Sequence, residues 1–123
     1  RAVDSAELGF GNKYKIIQDK RLREIDYGDF TQKSCETFKP KMKEYVNKPF
    51  PNGESYKDVE KRISNFLEFL RKKYAGKHIA IVAHQAPQLA LDVVVNKRTW
   101  QQAIAEDWRL KKAWQPGWDY ILE

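Results

Sequence analysis

His84 is the first candidate in this sequence for a side chain that takes part in chemistry. It follows the apolar run "HIAIVA", residues 78–83, and precedes "QAPQLALDVVV", whose apolar spacing predicts a helix. At the carboxyl end of a buried strand, an imidazole beside the free N–H groups of the next helix can bind an anion such as phosphate. The alternative is a histidine that only caps the helix or satisfies a buried carbonyl, and position alone does not decide between the two.

The other histidine, His78, lies next to Lys77 at the start of the same run, and we expect it to be solvated. Six strand positions separate the two rings, roughly 20 Å at about 3.3 Å per residue. They therefore cannot act on one substrate atom, and His84 has no histidine partner in this chain. No Cys/His cluster has the spacing of metal ligands, so no metal site is predicted.

The elements around His84 must position it. Ser55 and Asp58 form a capping-box-like start to a helix whose apolar residues recur at three- and four-residue steps as far as Tyr74, with Gly76 as its stop. The run 78–83 is apolar on both faces, which is typical of a strand inside a parallel sheet. The helix predicted over residues 85–95 carries a proline in its first turn, where a missing N–H costs nothing. This alternation indicates an α/β domain.

The rest of the chain completes one domain, residues 1–123. A helix is predicted at Ala2–Leu8, a short strand within Tyr14–Ile25 and a second helix over residues 34–47, weakened by Pro40. Another short helix is predicted from Thr99, and the C-terminal "GWDYILE" is predicted to be an edge strand. There is no internal repeat, low-complexity segment or linker.

Composition restricts the class of protein. The chain has 123 residues, 23 Lys+Arg against 17 Asp+Glu, and a net charge of +6, which suits phosphate-bearing partners. The basic residues are interleaved with acids, which argues against a dedicated nucleic-acid surface. A single cysteine, Cys35, fits a reducing, cytoplasmic setting. No apolar run is long enough to span a bilayer, so no membrane partner is predicted.

Four ordered segments resemble the histidine phosphatase superfamily, the phosphoglycerate-mutase-like enzymes. They are "RAVDSAE", "RLREIDYGDFTQ", "PFPNGESYKDVEKRISNFL" and "IAIVAHQAPQLAL". Gln32 stands where that family commonly has Gly, and "HQAP" replaces a frequent His-Gly-Gly. The resemblance implies a three-layer α/β/α fold with a mostly parallel sheet, and a phosphatase that acts through a phosphohistidine and needs no cofactor.

The resemblance also implies roles for individual residues. Arg1 would bind the phosphoryl oxygens, His84 would donate to the transferring phosphoryl group, and Glu24 would be the proton donor. Asp26 and Asp29 are weaker acid candidates. Glu54, Ser55 and Gln85 would contact substrate. Each has a simpler alternative: a terminal arginine in solvent, a Glu24 paired with a neighbouring arginine, and a Ser55 that only caps its helix.

The family's nucleophilic histidine lies in an Arg-His-Gly motif, which occurs nowhere in these 123 residues. The resemblance places that motif upstream, so the expected partners are a missing N-terminal segment or a strand-exchanged second copy, together with a phosphorylated small molecule or inorganic phosphate. A mutase is the less favoured enzyme, because it generally needs extra loops. The alternative from another class is an anion- or RNA-binding regulatory module without chemistry.

Overall fold

The computed structural model describes residues 2–31, 39–107, 117 and 119–122 of the chain. Four α-helices lie in this part of the protein: α1 Ala2–Phe10, α2 Tyr56–Lys73, α3 Gln85–Val95 and α4 Trp100–Ala105. Three 3₁₀ helices, Lys20–Leu22, Gly28–Phe30 and Lys39–Tyr45, lie between α1 and α2.

The described residues contain no β-strand, so the predicted three-layer α/β/α fold with a mostly parallel sheet is wrong. The segment 78–83 is partly exposed, with Ile79 44% exposed. Its backbone from Ile79 to Ala83 makes no hydrogen bond within the described part of the chain. A strand requires a neighbouring backbone that pairs with its N–H and C=O groups. The apolar residues of this segment indicate that it can pack in a core. They do not specify a neighbouring backbone with which it could pair.

The two other predicted strands are also absent from the described residues. Residues 15–19 are irregular and lead into the 3₁₀ helix Lys20–Leu22, while residues 119–122 form no regular element. At the N-terminus, α1 extends past the predicted end at Leu8 to Phe10, and it buries none of its residues. Much of the helix predicted over residues 34–47 lies outside the described residues, and its described end is the 3₁₀ helix Lys39–Tyr45.

Helix α2 begins where the sequence predicts. The Ser55 hydroxyl oxygen accepts a hydrogen bond from the Asp58 N–H at 3.1 Å, and the Asp58 carboxylate accepts one from the Ser55 N–H at 2.9 Å. This reciprocal pair satisfies two backbone donors at the helix end and stabilises it by about 0.5–2 kcal/mol. Gly76 follows the helix in the left-handed region, with φ of +73°. The predicted capping box is therefore confirmed.

Helix α2 packs against α3, and α3 packs against α4. The buried face of α3 consists of Ala86, Pro87, Gln88, Leu89, Ala90 and Leu91. Helix α4 starts with its own capping box between Thr99 and Gln102, as predicted from Thr99. The indole N–H of Trp100, which is 2% exposed, donates to Glu60 Oε1 at 2.7 Å. This partly buried bond joins α4 to α2.

An aromatic cluster surrounds Phe50, which is fully buried. Tyr45 stacks on Phe50 with ring centroids 4.1 Å apart, and Tyr27, Phe30 and Tyr56 contact it edge-on at 5.2 to 6.2 Å. Aromatic pairs of this geometry contribute about 0.5–1.5 kcal/mol each beyond their area burial. The cluster therefore fixes the segments that precede α2 against the start of that helix.

Gly28 and Gly53 allow the backbone near Asp26 to contact the backbone near Glu54 directly. The Glu54 N–H donates to the Asp26 carbonyl oxygen at 2.8 Å. A Cβ atom on Gly28 would lie 2.0 Å from the Pro51 carbonyl oxygen, and one on Gly53 would lie 2.3 Å from the Asp26 carbonyl oxygen. Because both obstacles are backbone atoms, the segments would have to separate to accept any side chain.

Gly28→Ala is expected to destabilise the protein by more than about 3 kcal/mol, because it combines a backbone clash with a left-handed φ of +54°. Gly76→Ala is the matched control, since Gly76 also has a positive φ but a Cβ atom there would meet nothing within 4 Å. That variant is expected to cost only about 1–2 kcal/mol. Chemical denaturation measures the free energy of unfolding of both variants. An equal decrease in the two variants would show that the backbone clash is not the cause.

Candidate active site

The Glu24 carboxylate lies at the N-terminus of α3. Its Oε1 atom accepts hydrogen bonds from the Ile25 N–H at 2.9 Å and from the Ala86 N–H at 3.0 Å. Because Ala86 follows His84 so closely in the chain, Glu24 and His84 adjoin the same helix end although they are distant in the sequence.

This contact changes the interpretation of the helix end as an anion site. The first hydrogen bond inside α3 runs from the Gln88 N–H to the His84 carbonyl oxygen at 3.2 Å, so four positions, His84 to Pro87, have no acceptor within the helix. Of these, Ala86 is bonded to Glu24 and Pro87 has no N–H. Within the described part of the chain, the N–H groups of His84 and Gln85 are left. A phosphate that binds here therefore meets two backbone donors and depends on side chains for the rest, above all on the His84 ring.

His84 is the N-cap residue of α3, with φ of −122° and ψ of −175°, but its side chain makes no capping hydrogen bond. The residue is half-buried. Within the described residues the ring donates to no carbonyl, so neither simpler alternative, helix capping or a satisfied buried carbonyl, is seen. His84 thus occupies the same end of α3 as the Ala86 N–H that the Glu24 carboxylate accepts. His78 is exposed, as predicted.

Glu54 forms a two-bond ion pair with Arg62. Arg62 Nε donates to Glu54 Oε2 at 3.0 Å and Nη2 donates to Oε1 at 3.0 Å, while Oε1 also accepts from the Asp26 N–H at 2.9 Å. Burial by itself raises the pKa of Glu54, but the hydrogen bonds from Arg62 and Asp26 and the charges of Arg62 and Arg23 outweigh it. The pKa is lowered as a result. Glu54 is therefore ionised at neutral pH and unsuited to donate a proton.

Two further residues predicted to contact substrate are already engaged. Ser55 is 4% exposed and uses its hydroxyl in the α2 capping box. The Gln85 side-chain amide donates to Asp107 Oδ2 at 2.6 Å, and Asp107 is 5% exposed just after α4. The structure therefore brings Gln85 to the His84 end of α3, but it turns the amide of Gln85 toward the protein.

The weaker acid candidates, Asp26 and Asp29, form hydrogen bonds with Gly28 and Asn52. The Asp26 carboxylate accepts the Gly28 N–H at 2.8 Å, and the Asp29 carboxylate accepts both contacts of the Asn52 side-chain amide at 3.1 Å. Both aspartates are exposed. Of the three carboxylates in this loop, Glu24 is the one that contacts α3. Arg1 lies outside the described residues.

Sequence reasoning missed Arg62 and Asp107. In the sequence, Arg62 is one of several charged residues on the polar face of a predicted helix, and its eight-residue spacing from Glu54 is the only local signal. Its other partners are 38 to 41 residues away. Asp107 lies in a short acidic pair that resembles a solvated helix end, yet it is buried.

The described residues offer neither a metal site nor a membrane span. No group of three or more His, Cys, Asp or Glu residues among them could hold a metal ion. Likewise, no helix in the described part of the chain combines the length and the apolar character needed to cross a bilayer.

Comparison with known proteins identifies the family. The model of the histidine phosphatase superfamily (branch 1) matches residues 1–116, so the chain belongs to that superfamily. It is similar to phosphoserine phosphatase 1 of Hydrogenobacter thermophilus, with 27% identity over 97 residues, which cover 72% of this chain and 46% of that protein. The chain thus spans about half the length of this curated relative.

Proposed function

We propose that this chain is part of a phosphomonoester hydrolase that acts through a phosphohistidine on small phosphorylated metabolites. The observation that carries the proposal is the Glu24 carboxylate, which accepts the Ala86 N–H at 3.0 Å two residues after His84, whose ring makes no hydrogen bond to the described residues. Membership of the histidine phosphatase superfamily supports it. The name of the similar Hydrogenobacter protein makes phosphoserine the first substrate to test.

Each residue has a defined part in the proposed reaction. A histidine nitrogen attacks phosphorus, a P–N bond forms and the ester P–O bond breaks. The protonated Glu24 carboxyl gives its proton to the departing oxygen, and His84 stabilises the charge on the transferring phosphoryl group. Water then attacks phosphorus, Glu24 takes a proton from it, and the P–N bond breaks to release inorganic phosphate. Arg1 would add a second donor to the phosphoryl oxygens.

The attacking histidine has to come from elsewhere in this proposal. The chain has only His78 and His84, and neither belongs to an Arg-His-Gly motif. We propose that a segment with that motif binds along residues 78–83, where the backbone from Ile79 to Ala83 has no partner in the described part of the chain. Exchange of such a segment with a second copy is the other arrangement. The single cysteine supports a cytoplasmic setting.

Ligand binding at two salt concentrations separates this proposal from an RNA-binding module. Inorganic phosphate and vanadate are expected to compete for one site, and His84→Ala is expected to weaken both by at least about tenfold, because it removes a charge-assisted donor. His78→Ala, the matched control, should leave both unchanged. Isothermal titration measures the affinities. Steeply salt-dependent binding of single-stranded RNA, with no phosphate or vanadate site, would favour the rival function.

A further inference from the structure

Arg62 links helix α2 to the loop that carries Glu24. Besides the two bonds to Glu54, Nη1 donates to the carbonyl oxygens of Arg21 at 2.7 Å and Arg23 at 2.8 Å, and Nη2 donates to the Glu24 carbonyl oxygen at 3.2 Å. A guanidinium group has five N–H donors, and these contacts give each of them an acceptor. The Arg62 side chain is 14% exposed, so the contacts are largely shielded from water.

These contacts hold the Glu24 backbone on both sides. Arg62 binds the carbonyl groups of Arg21, Arg23 and Glu24 directly, and it orients Glu54, which in turn accepts the Asp26 N–H at 2.9 Å. The Glu24 side chain leaves a backbone that is fixed immediately before and after it. Its reach to the Ala86 N–H therefore depends on where Arg62 holds the loop.

We propose that Arg62 is a positioning residue, which sets the Glu24 carboxylate against the N-terminus of α3. The inference rests on the proposed function for the acid role of Glu24, but the placement of the carboxylate can be measured without turnover. Arg62 touches no substrate in this scheme. It acts on Glu24 through the loop. Its planar guanidinium group is required, because the three N–H donors of a lysine lie on one nitrogen and cannot serve five hydrogen bonds that point in different directions.

Two other arginines differ from Arg62 in their contacts. Arg21, itself in the loop, pairs with Asp19 at 2.7 Å, donates to the Asn65 carbonyl oxygen of α2 at 3.4 Å and lies over the ring of Phe69, with 4.9 Å to the ring centroid. Arg71, on the last turn of α2, pairs with Glu68 at the surface. At a rise of about 1.5 Å per residue, Arg71 lies roughly 13 Å farther along the helix than Arg62. Arg71→Lys is therefore the matched control for Arg62→Lys.

Amide hydrogen exchange on the 123-residue chain tests the placement. Arg62→Lys is expected to lower the protection of the Ala86 amide by about tenfold or more, since its acceptor Glu24 moves away. The Leu67 amide, inside α2, should keep its protection, and Arg71→Lys should change neither. A general loss of stability would lower the protection of both amides together. Equal losses at Ala86 and Leu67, or no loss at Ala86, would overturn the inference.

Glu54→Gln is the second variant, in case Arg62→Lys does not fold. It keeps the size of the side chain but replaces one acceptor of the Arg62 fork with an amide N–H. A selective loss of Ala86 protection, smaller than the one expected for Arg62→Lys, would support the positioning role. Unchanged Ala86 protection in this variant would contradict it.

Kinetics of the protein with its Arg-His-Gly segment distinguish the two proposals. Arg62→Lys is expected to lower kcat for an alkyl phosphate at least about tenfold more than for an activated aryl phosphate, with KM little changed, as a misplaced acid requires. Arg71→Lys should not change that ratio. Selective loss of Ala86 protection without a leaving-group effect in either Arg62→Lys or Glu24→Gln would uphold the placement and refute the acid role.

Discussion

The 123 residues alone are expected to release no phosphate from an activated aryl phosphate, and activity is expected to appear when a segment carrying Arg-His-Gly is supplied. The chain has two histidines, of which His78 is exposed and His84 is assigned to charge stabilisation. Removal of a catalytic nucleophile costs on the order of 10⁶ in kcat. A coupled assay for inorganic phosphate, on protein whose mass has been verified, measures the difference.

Two variants control this result in the reconstituted protein. His84→Ala should slow the alkyl and the aryl ester alike, because its role is to stabilise phosphoryl charge in both reactions. His78→Ala should have the activity of the parent. If the 123 residues alone show turnover and His84→Ala abolishes it, His84 itself is the nucleophile. The proposed role of His84 in charge stabilisation would then be wrong.

In the reconstituted protein, Glu24→Gln is expected to slow the hydrolysis of an alkyl phosphate by about 10²–10⁴ while it changes that of an activated aryl phosphate far less. Only the poor leaving group needs a proton on its departing oxygen. The amide of Gln keeps an oxygen that can accept the Ala86 N–H, so the local fold should survive the substitution. A series of esters with graded leaving groups, assayed for kcat, measures the effect.

Glu68→Gln is the control for that series. Glu68 lies on the exposed face of α2, paired with Arg71, and its substitution should leave the leaving-group dependence of the parent unchanged. Equal losses for both kinds of ester in Glu24→Gln would remove Glu24 as the acid. Asp26 and Asp29, the other carboxylates of the same loop, would then be tested in the same series.

The local parts of the fold could be predicted because their causes are local. The Ser55–Asp58 capping box, the helix from Gln85 with its first-turn proline, and the start of α4 at Thr99 all depend on residues close to one another in the chain. The strand at 78–83 could not be predicted in the same way. Its formation depends on a neighbouring backbone, which no property of the apolar run specifies.

The site follows the same division. The position of His84 before a helix was readable from the sequence, and the structure places it at the N-cap of α3. The contact between Glu24 and the Ala86 N–H joins residues 62 positions apart. No spacing in the sequence indicates that contact, so the prediction of Glu24 as the acid depends on the resemblance to a family. The role of Arg62 could not be predicted from the sequence for the same reason, because its backbone acceptors belong to a loop 38 to 41 residues earlier.

The fork of Arg62 also limits how this stretch of sequence can vary in length. One residue inserted between Glu54 and Arg62 would rotate the arginine by about 100° around α2 and turn it away from the 21–24 loop. Insertions and deletions should therefore be excluded between these two positions. The pattern Glu-Ser, six residues of any type, then Arg is a search signature: in a distant sequence that carries it, the acid should be sought in the loop that precedes it.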